Sequence, residues 1–313
     1  MHADLDDPPR PHGGRLKVAV VTCEAFPEPS ASDALYVHAL RQLGAEVHVV
    51  PWNGSGSAPA LAGIDVAVLR SPWDYPAHTP DFMAWLDSVE RLSLRLLNPP
   101  SLVRWNIDKR YLLDLARAGL SVPRTAALIP EEGPVQWRTA LAQVGAGDGG
   151  PAVLKPCWGG SGVAVGLTSL DTIGRDVAAA MEEAPGRPWL VQALVPGIAA
   201  EGETSFIFVA GQFAHAVRTR PAAGDFRVNA RYAPRPPERI DPQAGAVADA
   251  ARVLAALPGR AAPLYARIDG APHSDGRFVY LEAEVIDPTL FLDLAPATAE
   301  LLARATLAAI KEQ

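Results

Sequence analysis

Three carboxylates near the C-terminal end carry the most chemistry. Arg267-Ile-Asp269 is followed by Leu281-Glu282-Ala-Glu284. Both segments read as strands, over 264–269 and 277–284, with a turn containing Asp275-Gly276 between them. Residues two apart in a strand point to the same face, so Glu282 and Glu284 share one, and a hairpin brings Asp269 beside them. Crowded like charges raise one another's pKa unless a cation neutralises them. Hard oxygen donors in that number suit Mg²⁺ or Mn²⁺, which bridge carboxylates and nucleotide phosphates. The competing reading is an acidic strand edge that blocks aggregation. The apolar flanks Val279, Tyr280, Leu281, Val285 and Ile286 argue against a merely solvated edge.

A second group of residues is suited to phosphate. Lys155 ends a strand pattern and precedes Gly159-Gly160-Ser161-Gly162. Glycines let the backbone approach a phosphate, successive N–H groups cradle it, and a lysine at the lip adds a point charge. The Gly-Lys-Ser/Thr of a Walker A loop is missing. Lys109 falls early in a helix pattern that opens at Asn106. Gln192-Ala193-Leu194-Val195 ends a strand and leads to Glu203. A segment crossing between modules offers N–H and C=O groups to a purine, and an acid nearby takes ribose hydroxyls. Taken singly, these are a turn, a surface lysine, and a strand with its loop.

The elements that must position these groups fall into three parts. In the first, strands over 17–22, 46–50 and 64–69 alternate with helices, one carrying Leu35, Ala39 and Leu43 on one face, another opening at Thr79-Pro80. Such alternation implies a parallel α/β module over roughly 16–100. The loop Arg70-Ser-Pro-Trp-Asp74-Tyr75 follows a parallel strand, where such sheets place ligands. Arg70 is therefore a candidate clamp for a substrate carboxylate and Asp74 a further substrate contact, while Trp73 and Tyr75 read as packing. The second part holds a helix from Asn106 to Gly119, strands over 122–129, 151–156 and 189–194, and helices over about 133–144 and 172–183. The third is antiparallel: 203–209 and 212–218 flank the hairpin signal Ala210-Gly211, and helices span about 242–257 and 298–311. The expected division is a disordered leader over 1–15, an N-terminal α/β domain over 16–105, a central domain over 106–193 and a C-terminal α+β domain over 194–313.

With 313 residues, 49% of them hydrophobic, the chain can bury the cores of two or three modules of roughly 100 residues. A net charge of −7 argues against a nucleic-acid partner. No apolar run approaches the ~20 residues needed to cross a bilayer, and residues 1–15 lack the apolar stretch of a signal peptide. Cys23 and Cys157 build no disulfide framework, and the histidines lack metal-ligand spacing. A cytoplasmic protein acting on a small molecule is expected.

The order and spacing of these motifs resemble the ATP-grasp superfamily of ligases, over roughly residues 100–311. The resemblance implies that Lys109 and Lys155 hold the phosphates of ATP beneath a flexible loop at Gly159, Gly160, Ser161 and Gly162. It implies that Gln192 to Val195 form the adenine hinge, Glu203 takes the ribose, and Asp269, Glu282 and Glu284 bind Mg²⁺ or Mn²⁺. D-alanine–D-alanine ligases carry Asn at the third metal position, where this chain has Glu284. His215-Ala-Val-Arg218 and Gly224-Asp-Phe-Arg227-Val-Asn229 resemble the phosphate-side loop of glutathione-synthetase-like members. Arg218, Arg227 and Arg267 are thus expected at the reacting phosphoryl group and Asn229 at the substrate. The combination Arg-Trp-Asn-x-Asp-Lys, Gly-Asp-Phe-Arg and Leu-Glu-x-Glu-x-x-x-Pro is similar to the branch that includes D-cycloserine synthetases. The implied reaction is activation of an amino-acid carboxylate as an acyl phosphate and intramolecular attack by nitrogen. The alternatives are an intermolecular amino-acid ligase and an inactive nucleotide binder. A homodimer is the expected assembly.

Overall fold

The structure is a computed structural model that describes residues 15–54, 60–160, 162–183, 185–228, 235–273, 275 and 277–311. Apart from Arg15, the expected leader lies outside the described residues, as do Ser161, Asn229 and Gly276.

The first third forms a parallel sheet of β1 (Lys17–Thr22), β2 (Glu46–Pro51), β3 (Val66–Leu69) and β4 (Arg95–Leu97), in the order β2-β1-β3-β4. The central strands β1 and β3 are covered on both faces, which is why they read as unbroken apolar runs. Val18 and Val20 pack with Tyr36 and Leu40 of α1 (Ala31–Gln42). Ala19 and Val21 point the other way, against Phe82 and Leu86 of α2 (Thr79–Arg91). Each such large side chain, fully buried, contributes about 1.5–3 kcal/mol. β4 is three residues long, too short to show a period in sequence.

Where one helix is expected from Asn106 to Gly119, the structure has α3 (Pro100–Ile107), nearly all of it before that span, and α4 (Tyr111–Arg117) within it. Asp108 makes the break. Its carboxylate accepts the Arg110 backbone N–H at 2.9 Å and grips the Arg110 guanidinium, a local alternative to helical hydrogen bonding. Lys109 therefore sits in a turn between helices.

The second sheet is antiparallel, with β5 (Thr125–Leu128), β6 (Ala152–Pro156), β7 (Gly166–Thr168) and β8 (Trp189–Ala193) in the order β5-β8-β6-β7. Leu141 and Val144 of α5 (Pro134–Val144) and Ile173 and Val177 of α6 (Ile173–Glu183) share a core with Leu154, Trp189 and Val191. A short α7 (Gly197–Glu201) leads into the third sheet.

That sheet has five antiparallel strands, β9 (Glu203–Val209), β10 (Gln212–Thr219), β11 (Glu238–Ile240), β12 (Tyr265–Pro272) and β13 (Phe278–Glu284), ordered β11-β10-β9-β12-β13. Phe206, Phe208 and Ile268 face α8 (Ala244–Ala255), whereas Ile207, Val209 and Tyr265 share a core with α1 and α9 (Pro296–Lys311). The outer edge of β13 is covered by side chains and by the Ser121 carbonyl, which accepts from the Tyr280 N–H at 2.8 Å, instead of a strand. Tyr111 exchanges hydrogen bonds with the Ala283 N–H and C=O at 2.9 and 3.0 Å. Asn106 donates to Ala283 O at 2.7 Å and accepts from Val285 N at 3.2 Å. A buried sheet edge needs such partners.

Candidate active site

The hairpin of β12 and β13 pairs Asp269 with Glu282 and Arg267 with Glu284. Alternation puts all four side chains on one face, with Ser205 of β9 opposite Asp269. One oxygen from each of Asp269, Glu282 and Glu284 lies within 4.8 Å of the others. Arg267 binds Asp269 at 2.9–3.0 Å and Glu284 at 2.7 Å, Ser205 donates to Asp269 at 2.6 Å, and Lys109 pairs with Glu282.

The two glutamates differ in charge state. Burial pushes Glu284 up to about 8, against the pull of Arg267 and with the help of Glu282 and Asp269. Glu282 is held below the usual range: burial would raise it, but Lys109 and Lys155 outweigh that. Burial, then the charge of Asp269, raises Glu203 well above its usual range. Burial also pushes Asp287 up to about 6. The carboxyl groups of Glu203, Asp269, Glu282 and Glu284 thus line one cleft with the cations Lys109, Lys155, Arg227 and Arg267. The donor set is all oxygen, which fits a hard divalent cation.

The opposite wall comes from the second sheet. Lys155 donates to Gln192 Oε1 at 2.8 Å, and Gln192 donates in turn to Thr125 Oγ1 at 2.8 Å. Burial lowers Lys155 to about 8, and the neighbouring Lys109 adds to the effect. Gln192, expected as part of a backbone hinge, also aims the lysine through its side chain. Gly159, Gly160 and Gly162 line the cleft above Lys155, with Gly162 at φ +69°, a conformation that favours glycine. Ala193, Leu194, Val195, Glu203 and Arg227 also line it, Arg227 being paired with Asp225 at 2.9 Å. The Lys109 backbone N–H donates to Cys157 O at 2.9 Å and so ties the turn between α3 and α4 to the root of the glycine loop.

Three expected site residues lie elsewhere. Arg218 pairs in register with Thr204, on the face of the third sheet opposite Glu203 and Ser205, so strand alternation carries it away from the carboxylates. Arg70 is fully buried, bound to Asp33 and Pro288 O at 2.8 Å each, with its guanidinium 4.7 Å from the Tyr265 ring centroid. It is a latch between β3 and the chain after β13 instead of an open carboxylate clamp. Asp74 spends both oxygens within the first module, accepting from Trp52 Nε1 and Asn53 Nδ2 at 2.7 Å. Ser161 and Asn229 fall outside the described residues.

The segment after Glu284 is held at four successive carbonyls. Tyr265 donates to Ile286 O at 2.9 Å, Trp73 to Asp287 O at 3.1 Å, Arg70 to Pro288 O at 2.8 Å and Arg267 to Thr289 O at 3.3 Å. Sequence reasoning missed this clamp because its donors come from β12 and from the distant loop after β3.

Comparison with known proteins places the chain among relatives of known fold. Residues 18–98 match a family model described as the N-terminal domain of D-cycloserine synthetase DcsG. The chain is 30% identical over 271 residues to the cycloserine biosynthesis protein DcsG of Streptomyces lavendulae, covering 82% of this chain and 86% of that one. The crystal structure of D-cycloserine synthetase DcsG superposes with a TM-score of 0.84 at 26% identity, covering 94% of this chain and 99% of the other. A RimK domain ATP-grasp protein from Sphaerobacter thermophilus shares the fold, with a TM-score of 0.67 at 18% identity over 92% of this chain and 98% of its own.

Proposed function

The chain belongs to the DcsG family of ATP-grasp ligases, an ATP-dependent group, and from that premise we propose that it closes O-ureido-D-serine into D-cycloserine, with one water consumed, the ureido carbonyl and amide leaving as carbon dioxide and ammonia, and ATP giving ADP and phosphate. The observation that carries the reading is the meeting of Lys109, Lys155, Glu203, Arg267, Asp269, Glu282 and Glu284 around one cleft, in a chain that is similar to DcsG along most of its length.

In this reading the domains divide near residues 105 and 193, and the cleft between the second and third sheets holds ATP. Lys109 and Lys155 bind the phosphates, the 193–195 segment receives the adenine and Glu203 the ribose. Asp269, Glu282 and Glu284 would hold Mg²⁺ or Mn²⁺, which when bound neutralises phosphate charge. Arg267 steadies the phosphoryl group as the substrate carboxylate takes it, and later the oxyanion formed when nitrogen attacks the acyl phosphate. Arg227 approaches from the loop before residue 228. The glycine loop over Lys155 excludes water that would hydrolyse the activated acid. A symmetric homodimer acting on an amino acid in the cytoplasm completes the proposal. Among the described residues, no helix is long and apolar enough to cross a membrane.

The test is release of ADP and phosphate across a panel of D- and L-amino acids that includes O-ureido-D-serine, with the product followed by mass. A ring product from that one compound is expected. Turnover only with pairs of amino acids would replace cyclisation by intermolecular ligation, and light scattering would check the dimer.

A further inference from the structure

A chain of hydrogen bonds crosses the strands of the second sheet and ends on Lys155. Thr125 of β5 lies directly opposite Gln192 of β8, and Gln192 lies opposite Val153 of β6. Lys155 is two residues beyond Val153, so strand alternation puts Thr125, Gln192 and Lys155 on one face. The Lys155 ammonium donates to Gln192 Oε1, Gln192 Nε2 donates to Thr125 Oγ1, and the Thr125 hydroxyl donates to the Pro123 carbonyl, each at 2.8 Å. The direction of this chain is set at its far end. A hydroxyl has one hydrogen, and Pro123 O takes it. Toward Gln192 the threonine can then only accept, so the amide must turn its NH2 to Thr125 and its carbonyl to Lys155. The reversed amide would set N–H donors against an ammonium, and would bond to Thr125 only if the hydroxyl gave up Pro123. Gln192 is 4% exposed, so burial leaves water little room to repair either loss.

We propose that Thr125, which is not among the residues lining the cleft, is a positioning residue for ATP: through the Gln192 amide it holds the Lys155 ammonium where a nucleotide phosphate meets it. The inference rests on the reading of Lys155 as a phosphate ligand. Gln192 is the one hydrogen-bond partner of Lys155 among the described residues. It occupies one of the three ammonium donors and leaves two for phosphate. A lysine is a point charge on a flexible stem, and ordering it before the nucleotide arrives lowers the cost of binding. The same cleft holds Glu203, Glu282 and Glu284, which would draw an untethered ammonium across to the third sheet. Glu282 already has a cation in Lys109. The relay keeps the second cation on the opposite wall, below the glycine loop, so that phosphate entering between the two sheets meets positive charge from both sides.

The experiment measures the affinity for Mg-ATP by calorimetry, without any amino acid, in the wild-type protein, Thr125→Val, Thr125→Ser, Lys155→Met, Gln192→Met and the two double variants that add T125V to K155M and to Q192M. K155M should weaken ATP by more than ~10-fold, which checks the reading of Lys155 itself. T125V keeps the shape and removes the hydroxyl, and should weaken ATP by ~5–30-fold, the scale of a buried polar group left unpaired. T125S restores the hydroxyl and should stay within ~2-fold of wild type, and adding T125V to K155M or Q192M should cost less than ~2-fold, because a residue that acts through others loses its effect once they are gone. Unchanged affinity in K155M would sink the phosphate role of Lys155 and the relay with it. A normal loss in K155M, with T125V either at wild-type affinity or costing the same factor in all three backgrounds, would overturn the relay alone. Thr125→Ala, run through the same cycles, keeps the test decisive if T125V does not fold.

Discussion

Burial holds Lys155 at about 8, so above that pH the free protein carries it increasingly neutral. A triphosphate favours the charged form, so binding should take up a proton. Affinity for ATP should then fall by up to about tenfold per pH unit above 8. Calorimetry at pH 8.5–9 in buffers of different ionisation enthalpy would measure the uptake, and Lys155→Met should abolish it. Identical apparent enthalpies in all buffers for the wild type would refute this. At this scale the sequence was informative where function depends on spacing: Glu282 and Glu284 share a face because strands alternate, and the register did bring Asp269 beside them. It was misleading where a residue's meaning depends on what packs around it. Arg70 looked like a clamp because it ends a parallel strand, but Asp33 and Pro288 already occupy it.

Among the elements, β13 is the one on which the chemistry hangs, and its outer edge is held by two side chains from the region around α3 and α4. Tyr111→Phe removes the hydroxyl that accepts from the Ala283 N–H, one residue from each metal-type glutamate, while the Ala283 carbonyl keeps its second donor, Asn106. Urea unfolding should show a loss of about 1–3 kcal/mol, the usual cost of leaving buried polar groups unpaired, and ligase activity should fall with it. Unchanged stability would mean that water replaces the hydroxyl and that the edge does not depend on Tyr111. Helix and strand periods located most long elements, including the hairpin at Ala210-Gly211. They missed β4, β7 and β11, each three residues long. They also left most of α3 uncalled and started the helix at Asn106, across the break that Asp108 makes by holding the next turn.

For the molecule as a whole, acid stability should be set in part far from the cleft. His215 of β10 is 3% exposed, shares a hydrogen bond of 3.0 Å with Thr298 of α9, and is lowered by burial to about 4. Between its ordinary pKa and 4 the unfolded chain binds the proton and the folded one does not, so stability falls as pH drops through that window. The full loss is about 3 kcal/mol at 1.36 kcal/mol per unit. Chemical unfolding at pH 7 and pH 4.5 should show a smaller acid loss in His215→Gln than in wild type; parallel losses would remove the histidine as the cause. The three separate sheets were legible because the periodicity changes between the thirds of the chain. The joins between parts were not, since they rest on single side chains such as Trp73, Arg70 and Asn106. One of those joins has a consequence for regulation. Lys109, tied by its backbone to the root of the glycine loop, spends its charge on Glu282. Each of the two is therefore set free by a different visitor, the lysine by phosphates and the glutamate by a cation. Such a swap behaves as a coincidence gate: either visitor alone must break the pair, whereas both together give each member a new partner. By linkage, nucleotide and cation must each tighten the other's binding by the same factor.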